Sequence, residues 1–115
     1  MKRLFAAAAI FALAFDYAQG AAMLSEQQAR AKAIAILKGD PYGKTDAEVA
    51  KNVKEARLLR KADSKACGSK VTAWEFHVVV VTANKDQFNN GVIDGYLAID
   101  PRTGKMLCAN LPLLD

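Results

Sequence analysis

Histidine and cysteine are scarce in this chain, and each scarcity excludes a class of chemistry. His77 is the only histidine. A metal site or a general base built on it would need partners that no second histidine can supply. The two cysteines, Cys67 and Cys108, stand about 40 residues apart, so there is no Cys-x-x-Cys redox pair. The glycine-containing turn Gly39-Asp40-Pro41-Tyr42-Gly43 lacks the Lys-Ser/Thr ending of a phosphate loop and the carboxylate ladder of a calcium loop. It reads as a plain connector. Lys and Arg alternate with Asp and Glu instead of gathering into one stripe, which argues against a nucleic-acid face. Ser25 and Thr45 have no base nearby in sequence, so no nucleophile constellation is visible. Neither a cofactor nor an enzymatic activity is expected.

Long apolar runs are also few, and the one at the start has the form of an export signal. Lys2 and Arg3 precede Leu4 to Phe15, an uncharged run of about a dozen residues. That length suits a signal-peptide core and falls short of the ~20 residues of a membrane span. Nothing polar divides the run into two helical faces. The stretch Asp16 to Ala22 then offers small residues for cleavage after Gly20 or after Ala22. Residues 1–22 are therefore assigned as a signal peptide and 23–115 as a single mature domain, periplasmic or secreted. No cysteine directly follows the cleavage sites, which argues against a lipid anchor, and no later run is long enough to span a bilayer. Removing Lys2, Arg3 and Asp16 from the 16 basic and 12 acidic residues leaves 14 and 11, a mild net charge of +3. Roughly 93 residues suffice for one modest core. In an oxidising compartment the even cysteine count predicts a Cys67–Cys108 disulfide. Closing such a loop stabilises by about 4 kcal/mol in the chain-entropy model, a large share of a total of about 5–15 kcal/mol.

The mature chain divides into a helical half and a strand-rich half. Ser25-Glu26-Gln27-Gln28 is a capping box, followed by Ala29, Ala33, Ile36 and Leu37 at helical spacing, with Glu26 and Arg30 as an i,i+4 pair. A helix is predicted over about 26–38, stopped by Gly39. Thr45-Asp46-Ala47-Glu48 is a second capping box. Val49, Val53 and Ala56 are read as the buried face of that helix, ending near Ala56. Arg57 to Arg60 either extends that helix or, the favoured reading, begins a first strand, and Lys61 to Lys70 is read as a loop. The run from Val71 to Thr82 is β-branched and aromatic almost throughout. Trp74, Phe76, Val78 and Val80 share one of its faces; Glu75, His77, Val79 and Val81 share the other. The second face starts polar and ends apolar, which predicts a central strand whose far end is covered on both sides. Asn84 to Gly91 is a polar turn and Val92 to Asp100 the next strand. Asp100-Pro101-Arg102-Thr103-Gly104 is a tight turn, with Asp100 as its cap and Gly104 at the left-handed position. Lys105 to Asn110 returns as a last strand, and the apolar tail from Leu111 packs on the body. The expected fold is α+β: two N-terminal helices on one face of a three- or four-stranded antiparallel meander.

Two residue runs resemble a known family. Trp74-Glu75-Phe76-His77-Val78-Val79-Val80, followed by Asp94-Gly95-Tyr96-Leu97-Ala98-Ile99-Asp100-Pro101-Arg102-Thr103-Gly104-Lys105-Met106-Leu107, is similar to the strand and hairpin of PepSY domains, most specifically over Ile99 to Leu107. The likeness covers about two thirds of the mature chain. Pro101, the second capped helix and the two cysteines depart from the family pattern and mark a divergent member. The resemblance implies an exported, non-enzymatic binding module acting on peptidases as inhibitor or regulator, or on another extracytoplasmic protein. It carries no catalytic residues. The helix-helix-three-strand shape of small envelope assembly proteins and β-lactamase inhibitors is the alternative. The sheet aromatics Trp74, Phe76 and Tyr96 are read as core, and as the partner contacts wherever the sheet face is left uncovered. His77 is read as an ordinary strand histidine, with Glu75 its nearest same-face neighbour.

Overall fold

A computed structural model describes residues 22–114. The candidate export signal therefore lies, but for Ala22, outside the described residues. Helix α1 spans Glu26–Leu37 and helix α2 Asp46–Asn52. Both capping boxes form as the sequence implies. The Ser25 Oγ accepts from the Gln28 amide at 3.1 Å while the Gln28 side chain accepts from the Ser25 amide at 2.9 Å. Thr45 and Glu48 repeat the exchange on α2. Those reciprocal bonds satisfy donors that a helix start leaves without a partner. Ala29, Ala33 and Leu37 form the buried stripe of α1.

Four strands follow: β1 Val53–Asp63, β2 Lys70–Val81, β3 Val92–Ile99 and β4 Met106–Ala109. They pair in sequence order as an antiparallel meander. The helices pack on one face of this sheet, as expected of an α+β chain. There Val49, Val53, Phe76, Val78, Leu97 and Ile99 make the core with the α1 stripe. Arg30 closes the rim of that core. Its guanidinium donates to the Val53 carbonyl at 3.0 Å, pairs with Glu26 at 3.2 Å, and lies over the Phe76 ring.

The second helix ends earlier than its apolar spacing implies. Val53 and Ala56 belong to β1, not α2. Val53 stands opposite Val78 and Ala56 opposite Phe76, so three residues of β1 advance against two of β2. A β-bulge absorbs the extra residue. It lets residues three apart both face the core, and this spacing imitates a helical one. A second bulge lies between Leu59 and Ala62, where Lys61 adopts φ 52°. The strand also continues to Asp63, so the following loop is Ser64–Ser69, shorter than the sequence suggests. Two bulges and a row of Lys, Arg and Glu blunt β1 as a sheet edge.

Cys67 and Cys108 are joined by a disulfide, with Cα atoms 5.1 Å apart. The bond pins the Ser64–Ser69 loop to β4 on the helix-free side of the sheet. That side is consequently covered at the start of β2, where Ala73 and Glu75 are buried, and open at its end, where Val81 is 79% exposed. The order is opposite to that implied by the polar-to-apolar run of the strand. The disulfide loop, not residue polarity, chooses which end is covered.

The β3–β4 turn follows its sequence closely. Asp100 Oδ1 accepts from the Arg102 and Thr103 amides at 2.8 and 3.0 Å, and Gly104 takes φ 78°. Those two amides, Thr103 first, hold the Asp100 carboxyl below the usual range. Gly95 has a different reason to be glycine. A Cβ there would stand 2.5 Å from the Asn110 carbonyl oxygen, where the chain leaves β4. Beyond it Leu111 is buried and Leu114 packs on the core, whereas Leu113 is exposed. The buried Tyr42 donates its hydroxyl to the Pro112 carbonyl, and burial pushes its pKa up to about 12. The tail is thus tied to the connector between the helices.

Candidate functional site

The helix-free face carries a pocket of about 170 Å³ lined by Glu55, Arg57, Lys65, Glu75, His77 and Tyr96. Strand alternation places these groups together. Arg57 on β1 stands opposite Glu75 on β2, and His77 on β2 stands opposite Tyr96 on β3, so all four project to one side. Glu55 lies inside the first β1 bulge, which aims it at the same side. Lys65 enters from the disulfide-pinned loop.

Glu75 is the keystone of the pocket floor. Its side chain is fully buried, yet each oxygen has a donor. Oε1 accepts from Arg57 at 3.0 Å; Oε2 accepts from the Ser64 hydroxyl and from the Ala66 amide at 3.1 Å. Burial acts to raise its pKa, but Ser64, Ala66 and Arg57 together outweigh it and hold the carboxyl below the usual range. Ser64 Oγ in turn accepts from the Cys67 amide at 2.9 Å. One buried carboxylate therefore shapes the turn that presents Cys67 to Cys108.

His77 does not pair with Glu75. Its Nε2 faces Asp94 Oδ1 at 2.7 Å and its Nδ1 faces Glu55 Oε1 at 3.3 Å. Tyr96 stacks on the imidazole with centroids 4.7 Å apart, and the Lys65 ammonium lies 5.2 Å above the Tyr96 ring. The Asp94 hydrogen bond leads in raising the His77 pKa, burial works against it, and Glu55 adds to the rise. The same bond to His77 is the main cause lowering the Glu55 pKa. The two carboxylates address opposite ring nitrogens, so they do not converge on a common ion. No cluster suited to a metal ion occurs among the described residues.

The three aromatics expected to meet a partner are not equivalent. Phe76 is 0% exposed beneath the helices and serves the core, not a contact. Trp74 is half-buried on that same side, and its indole N–H donates to the Leu24 carbonyl at 2.9 Å, anchoring the entry to α1. Tyr96 alone lies on the open face. The sequence reading missed Glu55, Arg57, Lys65 and Asp94 as its companions. Period-2 alternation from His77 and Tyr96 reaches Asp94, but Glu55 and Lys65 depend on a bulge and a disulfide. Asn110 completes the arrangement, accepting from the Tyr96 amide at 2.5 Å and donating to the Lys65 carbonyl at 3.2 Å. No helix among the described residues is long and apolar enough to cross a membrane. No family model, curated protein or solved structure matches this chain.

Proposed function

We propose that this chain is an exported, non-enzymatic binding module of PepSY-like type, and that its helix-free sheet face, centred on Tyr96, docks an extracytoplasmic protein. A peptidase, held as inhibitor or regulator, is the partner class the resemblance favours. The observation that carries the reading is the Tyr96 pocket: an aromatic ring with a cation above it and an imidazole stacked on it, on a face that neither α1 nor α2 covers. Tyr supplies large contact area at small entropic cost and is enriched where interfaces form. Acid–base chemistry is a poorer fit to the same groups. Glu55 and Glu75 are biased toward carboxylate, and His77 toward imidazolium, which is not a base. The disulfide and the cationic-then-apolar start support an exported location.

The test is capture from periplasmic extract on the immobilised, oxidised mature chain, run beside its Tyr96→Ala variant. The expected outcome is a peptidase retained by the parent and lost by the variant, whose activity falls as the soluble parent protein is added. Retention of an outer-membrane assembly complex instead would support the envelope-assembly alternative. Turnover of a substrate by the purified chain would overturn both.

A further inference from the structure

The single histidine has both ring nitrogens engaged by carboxylates from different strands. We propose that His77 is a pH-operated clasp on the helix-free face: as imidazolium it ties Glu55 of β1 to Asp94 of β3, and on losing a proton it keeps Asp94 and releases Glu55. The clasp's use as a regulator rests on the docking role proposed for this face; its working rests on geometry alone.

A carboxylate can only accept hydrogen bonds, and a neutral imidazole has one N–H. The contacts at 2.7 Å to Asp94 and 3.3 Å to Glu55 can both be hydrogen bonds only when both ring nitrogens are protonated. Remove one proton and a nitrogen lone pair faces a carboxylate, which repels it. The shorter contact retains its hydrogen, so Nε2–H stays on Asp94 and the Nδ1 proton passes to water. Glu55, 80% exposed, is then free to turn into solvent.

The other charged or titratable groups around the ring are few. Arg57 on β1 is committed to Glu75 on β2, which is buried and already has its donors. Tyr96, on β3, stacks on the ring, and Lys65, from the loop, lies over the Tyr96 ring. Burial of the ring opposes a positive charge on it. Asp94 and Glu55 favour it, and the net direction is upward from the ordinary 6.5. With His77 protonated, Arg57, Lys65 and His77 balance Glu55, Glu75 and Asp94. Deprotonation leaves one net negative charge and a loosened rim. A basic side chain on a partner is then favoured over an acidic one.

Long-range proton–nitrogen NMR of the imidazole, on the oxidised chain without any partner, tests the clasp from about pH 5 to about pH 9. The midpoint is expected above 6.5. In the neutral form Nε2 should keep its proton while Nδ1 takes the shift of an unprotonated nitrogen. Asp94→Asn should lower the midpoint more than Glu55→Gln does. A midpoint at or below 6.5, or a neutral form protonated at Nδ1, would overturn the proposal on the parent chain alone. So would a midpoint that neither substitution moves. The titration needs no partner, so its failure is distinguishable from a failure of the docking reading, which the capture experiment reports.

Discussion

On the helix-covered face of the sheet, Phe76, Val78, Leu97 and Ile99 are buried against α1 and α2. One residue along the same strands, Glu75, His77, Asp94 and Tyr96 form a charged and aromatic set on the other face. Backbone pairing is common to both, so the difference lies in what surrounds each face. The first is held by non-directional burial, which tolerates no polar atom without a partner. The second is held by paired charges, a disulfide loop and one buried carboxylate with a donor for each oxygen. Stability is therefore concentrated on one side of the sheet, and adaptable chemistry on the other.

Substitutions that strike one face and spare the other test this division. Phe76→Ala should have the largest effect, a loss of roughly 3–5 kcal/mol read by urea unfolding, since it opens a cavity under the helices. The helix-free face should be lost only through global unfolding. Replacing both cysteines by serine should cost about 2–4 kcal/mol. Here the loss should be local as well: amide exchange should quicken first over Ser64–Ser69, while α1 keeps its protection.

Glu75→Gln should cost roughly 1.5–3 kcal/mol, as hydrogen bonds to a buried charged group are weakened. The sign of its pH dependence is set by a carboxyl pKa lower in the folded than in the unfolded chain. Its contribution is full above the unfolded pKa and lost as pH falls through the folded one. The parent and Glu75→Gln should therefore converge in stability on acidification, checked by urea unfolding across the acid range. The smallest effect belongs to His77, whose folded pKa is raised. Its contribution is present below the unfolded value of 6.5 and is lost as pH rises through the folded one. The difference between parent and His77→Gln should be largest in weak acid and shrink by less than about 1 kcal/mol as pH rises. A difference that instead grew with pH would break the contrast between the two faces.

Much of the helix-covered face was legible in the chain because its causes are local. Ser25 and Thr45 cap helices through residues three positions away. Asp100 caps a turn through residues two and three positions away. The alternation of Phe76, Val78 and Val80 shows directly which side of β2 is buried. Sequence and structure differ where the chain departs from a regular period. The bulge before Ala56 spaced two core residues like a helix, so α2 was extended by a turn it does not have. The second face of β2 was judged by polarity, but the Cys67–Cys108 bond set its cover.

Tyr96 could be nominated from the sequence, and alternation reaches Asp94, but Glu55 and Lys65 could not be. Asp94 and Glu55 reach His77 across 17 and 22 residues, and Lys65 reaches Tyr96 across 31. Strand register, a bulge and a disulfide bring those groups together, and the bulge and the disulfide leave no periodic trace in the chain. The order of elements, their caps, the α+β class and the pairing of the only two cysteines follow from local chemistry and composition. The pairing of His77 with Asp94 instead of Glu75 and the opening of the face around Tyr96 follow from long-range packing. Local hydrogen bonds and side-chain periodicity act over a few residues and can be read in order. The charge pairs of a sheet face depend on which strands meet and in what register, and that is settled when the core closes.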